Sequence, residues 1–534
     1  MRLAIIVSLV ALPASPGCCQ STPEPPRFEI ADVRPSAVAM NPFTLVSGGV
    51  LRGDRYDLRK ASMLDLIRIA YAVPPETVVG GPNWLEFDRF DIAAKAPAQS
   101  SPETVRRMLQ SLLVERFHLA VHNDMRPMPA WVLSMGKTKP KLAESSGAGD
   151  SDCQWVQQPA GSVVNAYSCR NLSMAVFAAR LQGMGWEYLK EPVVDATGLE
   201  GAWDFDLRWN RRSLPLPGGA ERITLFDAVS RQLGLNLTLR QAPAPVLVID
   251  RVEKPTPNAP DIEQKLPPRQ LEFEVADVKL NKSGQRDGPL QPTRGGGLEA
   301  RAVSLKTLLG FAWDMDWDHT DDRFIGLPKG IGSVYVDINA RTTKHTNGPA
   351  LENSGYVDDD VRAMTRALLT QRFQITWHYE DRLMEGYSLV SARPKLKKAD
   401  PANRASCHEA RTIASDPRDS NPLLSQLISC RNATIAQLAV RFQQIDSYQF
   451  AYPVEDATGI KGTWDFDLGF TPRGLVEQSS GQNSGKSVGE AVEPSGAVTL
   501  AEAVSKQLGL RLEKRKRLLP AIVIDHMELT PIEN

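Results

Sequence analysis

Two histidines, each followed two positions later by an acidic residue, are the clearest candidates for catalytic chemistry in this chain. His122 precedes Asp124 in LAVHND, and His378 precedes Glu380 in ITWHYE. Residues two apart on a strand share a face, so each pair could form a general base with an orienting carboxylate, as in a hydrolase. A hydrolase also needs a nucleophile, and the candidate serines have the positions of helix caps or helix surface. We therefore favour a stabilising histidine–carboxylate pair and predict no catalytic residue.

Closely spaced aspartates are the second group of candidate functional residues, as possible ligands of a metal ion. Asp204 and Asp206 share one strand face, as do Asp465 and Asp467. With the aspartate of a nearby Asp-Ala-Thr-Gly turn, three carboxylates could hold a hard cation such as Ca²⁺. In such turns, however, aspartate more commonly accepts backbone N–H bonds while glycine takes a positive φ. We predict turn chemistry here, with no metal and no cofactor.

A further run of alternating aspartates begins at Asp314 and continues through Asp316 and Asp318. It resembles a Ca²⁺ loop but has His319 where glycine is required and Ile325 where the final glutamate is required. We predict a solvated loop.

Four cysteines fall into two short-range pairs, Cys153 with Cys169 and Cys407 with Cys430. The second cysteine of each pair opens a matching segment, CRNLSMAVFAARLQ or CRNATIAQLAVRFQ. Free buried thiols or a metal site are the alternatives, but no CxxC pair accompanies them. We predict two disulfides, typical of an oxidising compartment, each stabilising the fold by about 3 kcal/mol.

The chain is an internal duplication. Residues 192–207 (PVVDATGLEGAWDFDL) and 453–468 (PVEDATGIKGTWDFDL) are identical at 12 of 16 positions. The pattern predicts copy 1 over residues 27–253, a Pro-rich linker over 254–270 and copy 2 over 271–528, with a flexible Gly/Ser-rich insertion at 474–496.

Within each copy, short amphipathic helices alternate with strands, without long βαβ crossovers. Each copy ends in a helix and two strands, a β-α-β-β-like unit. This order predicts an α+β fold with two tandem homologous domains and mainly antiparallel sheets.

Charge and the N-terminus indicate the compartment. The net charge of −1 argues against a general nucleic-acid binder, and the basic run 514–517 is predicted to be a solvated turn between two strands. Residues 1–17 have the charged start and short apolar run of a secretory signal peptide, with Cys18 or Cys19 as candidates for a lipid anchor. No later stretch has the length of a transmembrane helix. We expect export to the periplasm, outer membrane or exterior.

Several motifs in fixed order resemble a large soil-associated bacterial family of unknown function that is abundant in acidobacteria. They include FEIADVRPS, DRFDIAAKA, MLQSLLVERFHLAVHND, VVDATGLEGAWDFDL and the closing VLVIDRVEKPTPN. The resemblance covers nearly all of copy 1, with copy 2 as a diverged member, and supplies no catalytic residues. Related domains occur on the extracytoplasmic end of membrane sensor peptidases, which implies sensing or binding. The last helix and strands, residues 224–250, are similar to the short N-terminal domain of secretins and TonB-dependent receptors, a docking module.

We therefore expect an exported, non-catalytic protein that binds another envelope protein or an extracellular ligand. Two linked modules raise avidity through effective concentration. An exported hydrolase using His122 or His378 is the main alternative, and a structural surface protein is the third.

Overall fold

The computed structural model describes most of the chain. The described ranges are residues 24–37, 46–147, 151–159, 162–212, 222–269, 271–293, 296–315, 320–342, 346–347, 359–400, 404–409, 424, 426–446, 449–472 and 497–532. Within them, buried apolar side chains form four cores, two in each copy. We call the lobe around the first core of a copy lobe A and the lobe around its second core lobe B.

Lobe A of copy 1 packs two helices on an antiparallel sheet whose own strands follow the order β1-β5-β3-β2, with a short strand of copy 2 added beside β2. Its elements are β1 (Ile30–Pro35), β2 (Ser47–Arg52), β3 (Arg55–Ser62), α1 (Met63–Tyr71), the outlying β4 (Val78–Gly80), β5 (Arg89–Lys95) and α2 (Pro102–Phe117). Local chemistry fixes the helix starts. Ser62 and Asp65 form a reciprocal capping box at α1, and Ser101 caps α2 before Pro102.

A long two-stranded antiparallel ribbon connects lobe A to lobe B in copy 1. It pairs β6 (Ala120–Met135) with β12 (Leu235–Arg251) along nearly their whole length. Two short parallel strands flank it, β4 at the lobe A end and β10 (Val193–Ala196) at the lobe B end. Lobe B is the chain between the two ribbon strands.

Lobe B of copy 1 packs two helices on a second antiparallel sheet, ordered β7-β11-β9-β8. Its elements besides β10 are β7 (Ala143–Glu144), β8 (Asp152–Trp155), β9 (Val164–Leu172), α3 (Met174–Met184), β11 (Trp203–Asn210) and α4 (Leu225–Leu233). Gly234 ends α4 in the left-handed conformation at φ 72°, which glycine adopts without steric cost.

Copy 2 repeats this plan after the short helix α5 (Ile262–Lys265). Lobe A contains β13 (Val275–Leu280), β14 (Leu290–Pro292), β15 (Leu298–Ser304), α6 (Leu305–Ala312), α7 (Thr320–Arg323), β16 (Phe324–Ile325), β17 (Tyr335–Arg341) and α8 (Asp359–Arg372). The short strand β18 (Thr346–Asn347) instead pairs with β2 of copy 1. The ribbon pairs β19 (Thr376–Ser391) with β25 (Leu510–His526). Lobe B contains β20 (Lys397–Lys398), β21 (Ser406–Glu409), β22 (Gln426–Ala433), α9 (Ile435–Ile445), β23 (Glu455–Asp456), β24 (Trp464–Phe470) and α10 (Leu500–Ala503), which continues as a π-helical turn (Val504–Leu508).

The predicted α+β class, tandem domains and antiparallel sheets are confirmed. The ribbons differ from the sequence-based expectation, since each closing pair of predicted strands is one continuous strand. The basic run 514–517 lies inside β25, so the predicted turn there is wrong. The predicted signal peptide, Cys18, Cys19 and the 474–496 insertion lie outside the described residues. No helix among the described residues is long and apolar enough to cross a membrane.

Prolines explain why the continuous strands were not predicted from copy 1. Pro127 and Pro243 are ladder partners, and Pro129 and Pro245 lie two residues away in the same register. In an antiparallel pair, alternate residues have N–H groups that point away from the partner strand. All four prolines belong to that set, so the ladder loses no hydrogen bond.

The first part of the predicted linker is bound to lobe A of copy 1. The Asn258 side chain accepts a hydrogen bond from the Val33 amide at 3.0 Å and donates one to the Val33 carbonyl at 3.0 Å. The buried Arg116 guanidinium donates to the Asn258 carbonyl oxygen at 2.7 Å and to the backbone carbonyl of Thr256 at 2.6 Å. These contacts hold the segment against β1 and the end of α2.

Candidate functional site

Both lobes of a copy pack on the same face of its ribbon. In copy 1, Val121 and Leu247 contact the lobe A core, whereas Leu133 and Leu237 belong to the lobe B core. The ladder runs without a register shift from Val121 to Met135, and side chains alternate faces along a strand. These core residues therefore share one face, and between the lobes that face is left bare. We call the bare stretch the floor.

The floor of copy 1 is largely apolar and uncharged. Its members are Met125, Pro127, Pro129, Leu239, Gln241, Pro243 and Pro245. Met125 is 60% exposed and Leu239 is 39% exposed. Contiguous exposed apolar side chains of this kind are typical of interaction surfaces.

The floor of copy 2 occupies the same place but combines apolar and charged side chains. Its members are Tyr379, Asp381, Leu383, Glu385, Lys514, Lys516, Leu518 and Pro520. Leu383 and Leu518 are direct ladder partners, 65% and 69% exposed. Glu385 and Lys516 are the next pair on the same face. An exposed leucine pair beside opposite charges provides both contact area and orientation.

Each histidine lies on the opposite ribbon face and bonds an aspartate of the facing strand. His122 Nδ1 lies 2.9 Å from Asp250 Oδ2, and His378 Nδ1 lies 2.9 Å from Asp525 Oδ2. Both histidines are half exposed. A histidine oriented through Nδ1 presents its other nitrogen outward, so each copy has an exposed His–Asp pair on its ribbon.

The acids that follow the histidines bind arginines instead. Asp124 accepts from Arg126 Nε at 2.9 Å, and Glu380 accepts from Arg382 Nε at 3.0 Å. The arginine bond and the Met125 amide lower the pKa of Asp124. The predicted His122–Asp124 pair is thus replaced by His122–Asp250, while Glu380 remains 3.8 Å from His378 Nε2. Asp250 and Asp525 occupy equivalent positions in the two copies, and this repetition could have identified them as the histidine partners.

The aspartates of the WDFDL strands bind protein groups. Asp204 accepts from the Asn171 amide at 2.8 Å, and Asp206 binds Arg170 at 3.0 Å. Burial opposes ionisation of Asp206, but the bonds from Ser168 and Arg170 lower its pKa overall. In copy 2, Asp465 and Asp467 bind the Asn432 amide and Arg431 at equivalent positions.

The Asp-Ala-Thr-Gly segments have the predicted turn chemistry. Asp195 accepts from both the amide and the hydroxyl of Thr197, and Asp456 does the same with Thr458. Among the described residues, no group of three His, Cys, Asp or Glu side chains is placed to hold a metal ion.

Both predicted cysteine pairs are disulfides. Cys153–Cys169 joins the edge strand β8 to β9, and Cys407–Cys430 joins the edge strand β21 to β22. In each pair the cysteines are direct ladder partners and the second cysteine is fully buried. Disulfides in both copies indicate an oxidising compartment.

Ion pairs between the copies form a contact that sequence reasoning missed. Asp360 binds both Arg52 and Arg269. Lys60 Nζ of copy 1 lies 2.9 Å from Asp314 Oδ2 of copy 2. The solvated-loop prediction is thus wrong for Asp314, whose carboxylate is mostly buried; Asp316 and Asp318 lie outside the described residues. The charged residues of this contact in one copy have no charged equivalents in the other copy. Comparison of the two copies therefore could not predict the contact.

A second contact joins lobe A of copy 1 to lobe B of copy 2. Arg404 lies 2.8 Å from the buried Glu86 carboxylate, and Phe87 packs against the lobe B core of copy 2. Burial raises the pKa of Glu86, while Arg404 and Arg441 act in the opposite direction.

A groove of about 590 Å³ runs beside the docked linker segment. Its three cationic residues already have carboxylate partners. Arg34 binds Asp32, Arg89 lies 3.8 Å from Asp65, and Lys254 binds Asp88 while lying over the Trp84 ring. The groove therefore offers little free charge to a ligand.

Comparison with known proteins assigns a family to the two copies. A family model described as a protein of unknown function (DUF3738) matches residues 64–252 and again residues 306–527. A search of curated proteins and a search of solved structures each returned no match.

Proposed function

The chain belongs to the DUF3738 family through both of its copies, and from this premise we propose that it is an exported, non-catalytic binding protein of the cell envelope. In this proposal, the two floors are the surfaces that contact its partner. The carrying observation is that both copies leave the same stretch of ribbon bare between two lobes and place large apolar side chains on it.

The chemistry of the floors favours a protein partner over a small ligand. Leu383 and Leu518 lie on an open strand face rather than in an enclosed cavity, and protein interfaces combine such apolar centres with charged rims. In sequence, residues 224–250 resemble a docking module of secretins and TonB receptors, and this resemblance is our reason for proposing an envelope protein as the partner. The disulfides support export to an oxidising compartment.

A photo-crosslinking amino acid placed at Leu383 or at Met125 tests this proposal in living cells. We expect each position to give a discrete adduct with the same envelope protein, identified by mass spectrometry. Val114 is 52% exposed on α2 and provides a matched control.

Charge substitution then tests whether the floor contributes binding energy. Leu518→Asp should abolish the adduct formed from position 383, because it places a charge at the centre of the apolar contact. The floor proposal fails if Val114 gives the same adducts, or if Leu518→Asp leaves them unchanged while the protein remains folded.

The exposed His–Asp pairs keep an exported hydrolase as the second candidate. His122→Ala together with His378→Ala separates the two. Loss of a hydrolytic activity with intact folding would establish the enzyme, whereas an unchanged crosslinking pattern supports the binding protein.

A further inference from the structure

Positive charge is concentrated where each ribbon ends in lobe B. In copy 2, segments 393–398 (RPKLKK) and 506–517 (KQLGLRLEKRKR) contain 10 Lys and Arg residues and 1 acidic residue. In copy 1, segments 136–141 (GKTKPK) and 231–242 (RQLGLNLTLRQA) contain 5 Lys and Arg residues and no acidic residue. The whole chain has 62 basic and 63 acidic residues, so this segregation is local.

Backbone hydrogen bonds bring the two segments of each copy together. The Lys141 amide donates to the Leu233 carbonyl at 2.9 Å, and the Lys395 amide donates to the Leu508 carbonyl at 2.8 Å. Each loop therefore crosses the C-terminal end of the last helix of lobe B. We call residues 136–141 and 393–398 the lysine loops; the second ends in the short strand β20.

One lysine in each loop has a structural role. Lys141 Nζ donates to the Arg231 carbonyl at 2.9 Å, and Lys395 Nζ donates to the Lys506 carbonyl at 3.0 Å. Both carbonyls lie at a helix C-terminus, where a cation is favourable. These two lysines therefore cap helices and are not available to bind a ligand.

The remaining cations of the loops face solvent. Lys137, Lys139, Arg393, Lys397 and Lys398 are exposed. In the part of the chain that the structure describes, none of them lies within ion-pair distance of a carboxylate, unlike the exposed Lys279, which pairs with Asp277. Like charges held close together repel one another and destabilise a fold, so an anionic partner would relieve this cost.

We propose that the lysine loops dock the protein on a bilayer of anionic phospholipids. Lysine is a compact hydrated charge that needs no fixed partner geometry, which suits a fluid array of headgroups. Each lysine near an anionic bilayer strengthens binding about fivefold. A single-stranded nucleic-acid site would add aromatic stacking platforms. Among the described residues, the exposed large aromatic side chains are Trp155, Trp186 and Tyr379, all outside the loops.

Vesicle sedimentation with the full chain tests the proposal. We expect the protein to sediment with vesicles of equal parts phosphatidylcholine and phosphatidylglycerol, and not with phosphatidylcholine alone. Raising the salt concentration should release it, because salt screens surface charges.

Matched variants locate the docking site. Replacing Lys397 and Lys398 by Gln should weaken binding to phosphatidylglycerol vesicles about 30-fold, and replacing Lys137 and Lys139 should also weaken it. Replacing Lys282 and Lys329, which are exposed on lobe A of copy 2, removes the same charge and should leave binding unchanged. Circular dichroism verifies that each variant is folded.

Three outcomes would overturn the proposal: no sedimentation with anionic vesicles, equal losses in the loop and control variants, or retention on single-stranded DNA without vesicle binding. The floor variants of the proposed function leave the loops intact, so the two proposals fail independently.

Discussion

Glu86 is the residue at which a single ionisation should report on contact between the copies. Its carboxylate is buried at the boundary of lobe A of copy 1 and lobe B of copy 2, with Arg404 as its partner. Burial is the largest influence on its pKa and raises it above the usual 4.5. The folded protein therefore holds this proton more tightly than the unfolded chain does.

A Glu86→Gln variant should show the consequence as a pH-dependent difference in stability. Because the folded pKa of Glu86 is raised, its contribution is fully present below 4.5 and is lost as pH rises through the folded pKa. The free energy of unfolding of the variant, minus that of the wild type, should rise over this window and then level off. Urea unfolding from about pH 4 to about pH 8 measures it.

The exposed Glu144 provides the control for this measurement. Glu144→Gln should give a difference that is flat with pH, because folding removes little water from an exposed side chain. A flat difference for Glu86→Gln as well would contradict a desolvated carboxylate at this contact.

Sequence patterns identified the candidate functional residues but not all of the residues to which they bond. The Asp195–Thr197 turn follows from local sequence, because neighbouring residues form it. Both disulfides follow from the repeated cysteine pairs of the two copies. His122 was matched with Asp124 two positions away, whereas it bonds Asp250 on the facing strand. That partner depends on the ladder register, which a local pattern does not contain.

At the scale of elements, the ribbon decides where the lobes and the floor lie. In copy 1 the predicted strands stopped on either side of a proline-rich middle, since proline cannot donate to a ladder. The structure continues through it because every proline falls on the alternate set of positions. The individual strands were therefore predictable from the sequence. Their joining into one continuous strand depends on how the two ribbon strands pair, which the local sequence does not show.

Two substitutions at adjacent positions test this register. Pro243→Ala should change the free energy of unfolding little, because the restored N–H points away from the partner strand. Ala242→Pro should cost about 1–3 kcal/mol, because its N–H belongs to the bonding set opposite Met128. Denaturant unfolding compares them, and similar costs for both would show that the assigned register is wrong.

The disulfides act on the same scale by attaching an edge strand to its neighbour in each lobe B. Replacing Cys153 and Cys169 together by Ala should lower the free energy of unfolding by about 3 kcal/mol, because the bridge closes a loop of 16 residues in the unfolded chain. The same change at Cys407 and Cys430, which are 23 residues apart, should cost a similar amount.

Thermal unfolding of each double variant, with and without reductant, measures this effect. Reductant should destabilise the wild type and leave a variant that lacks both disulfides unchanged. A wild type insensitive to reductant under unfolding conditions would contradict the expected contribution.

At the scale of the whole molecule, the contacts between the copies in the described residues combine ion pairs, the pairing of β18 with β2, and the packing of Phe87 against the lobe B core of copy 2. Asp360 lies between Arg52 and Arg269, and its side chain is only 8% exposed. Removing one member of a buried ion pair costs about 3–5 kcal/mol. Such contacts are invisible to a repeat comparison, because a surface that joins two copies need not be repeated within each.

Asp360→Ala should therefore loosen the contact between the copies. We expect a larger radius of gyration by small-angle X-ray scattering and faster proteolysis between the copies. Asp321→Ala removes an aspartate paired with Lys306, 73% exposed, and should change stability by no more than about 0.5 kcal/mol. An unchanged radius for Asp360→Ala would show that other contacts suffice.

The position of lobe B in the chain has a consequence for protein engineering and for the evolution of the fold. The lobe begins and ends at ladder neighbours, Met135 opposite Leu235 in copy 1 and Ser391 opposite Leu510 in copy 2. A segment whose ends are already adjacent can be excised and the gap closed by a tight hairpin turn, or exchanged for another insert of any length. Lobe B is thus an insertion between the two ribbon strands, and any replacement would have to cover Leu133 and Leu237, which belong to the lobe B core.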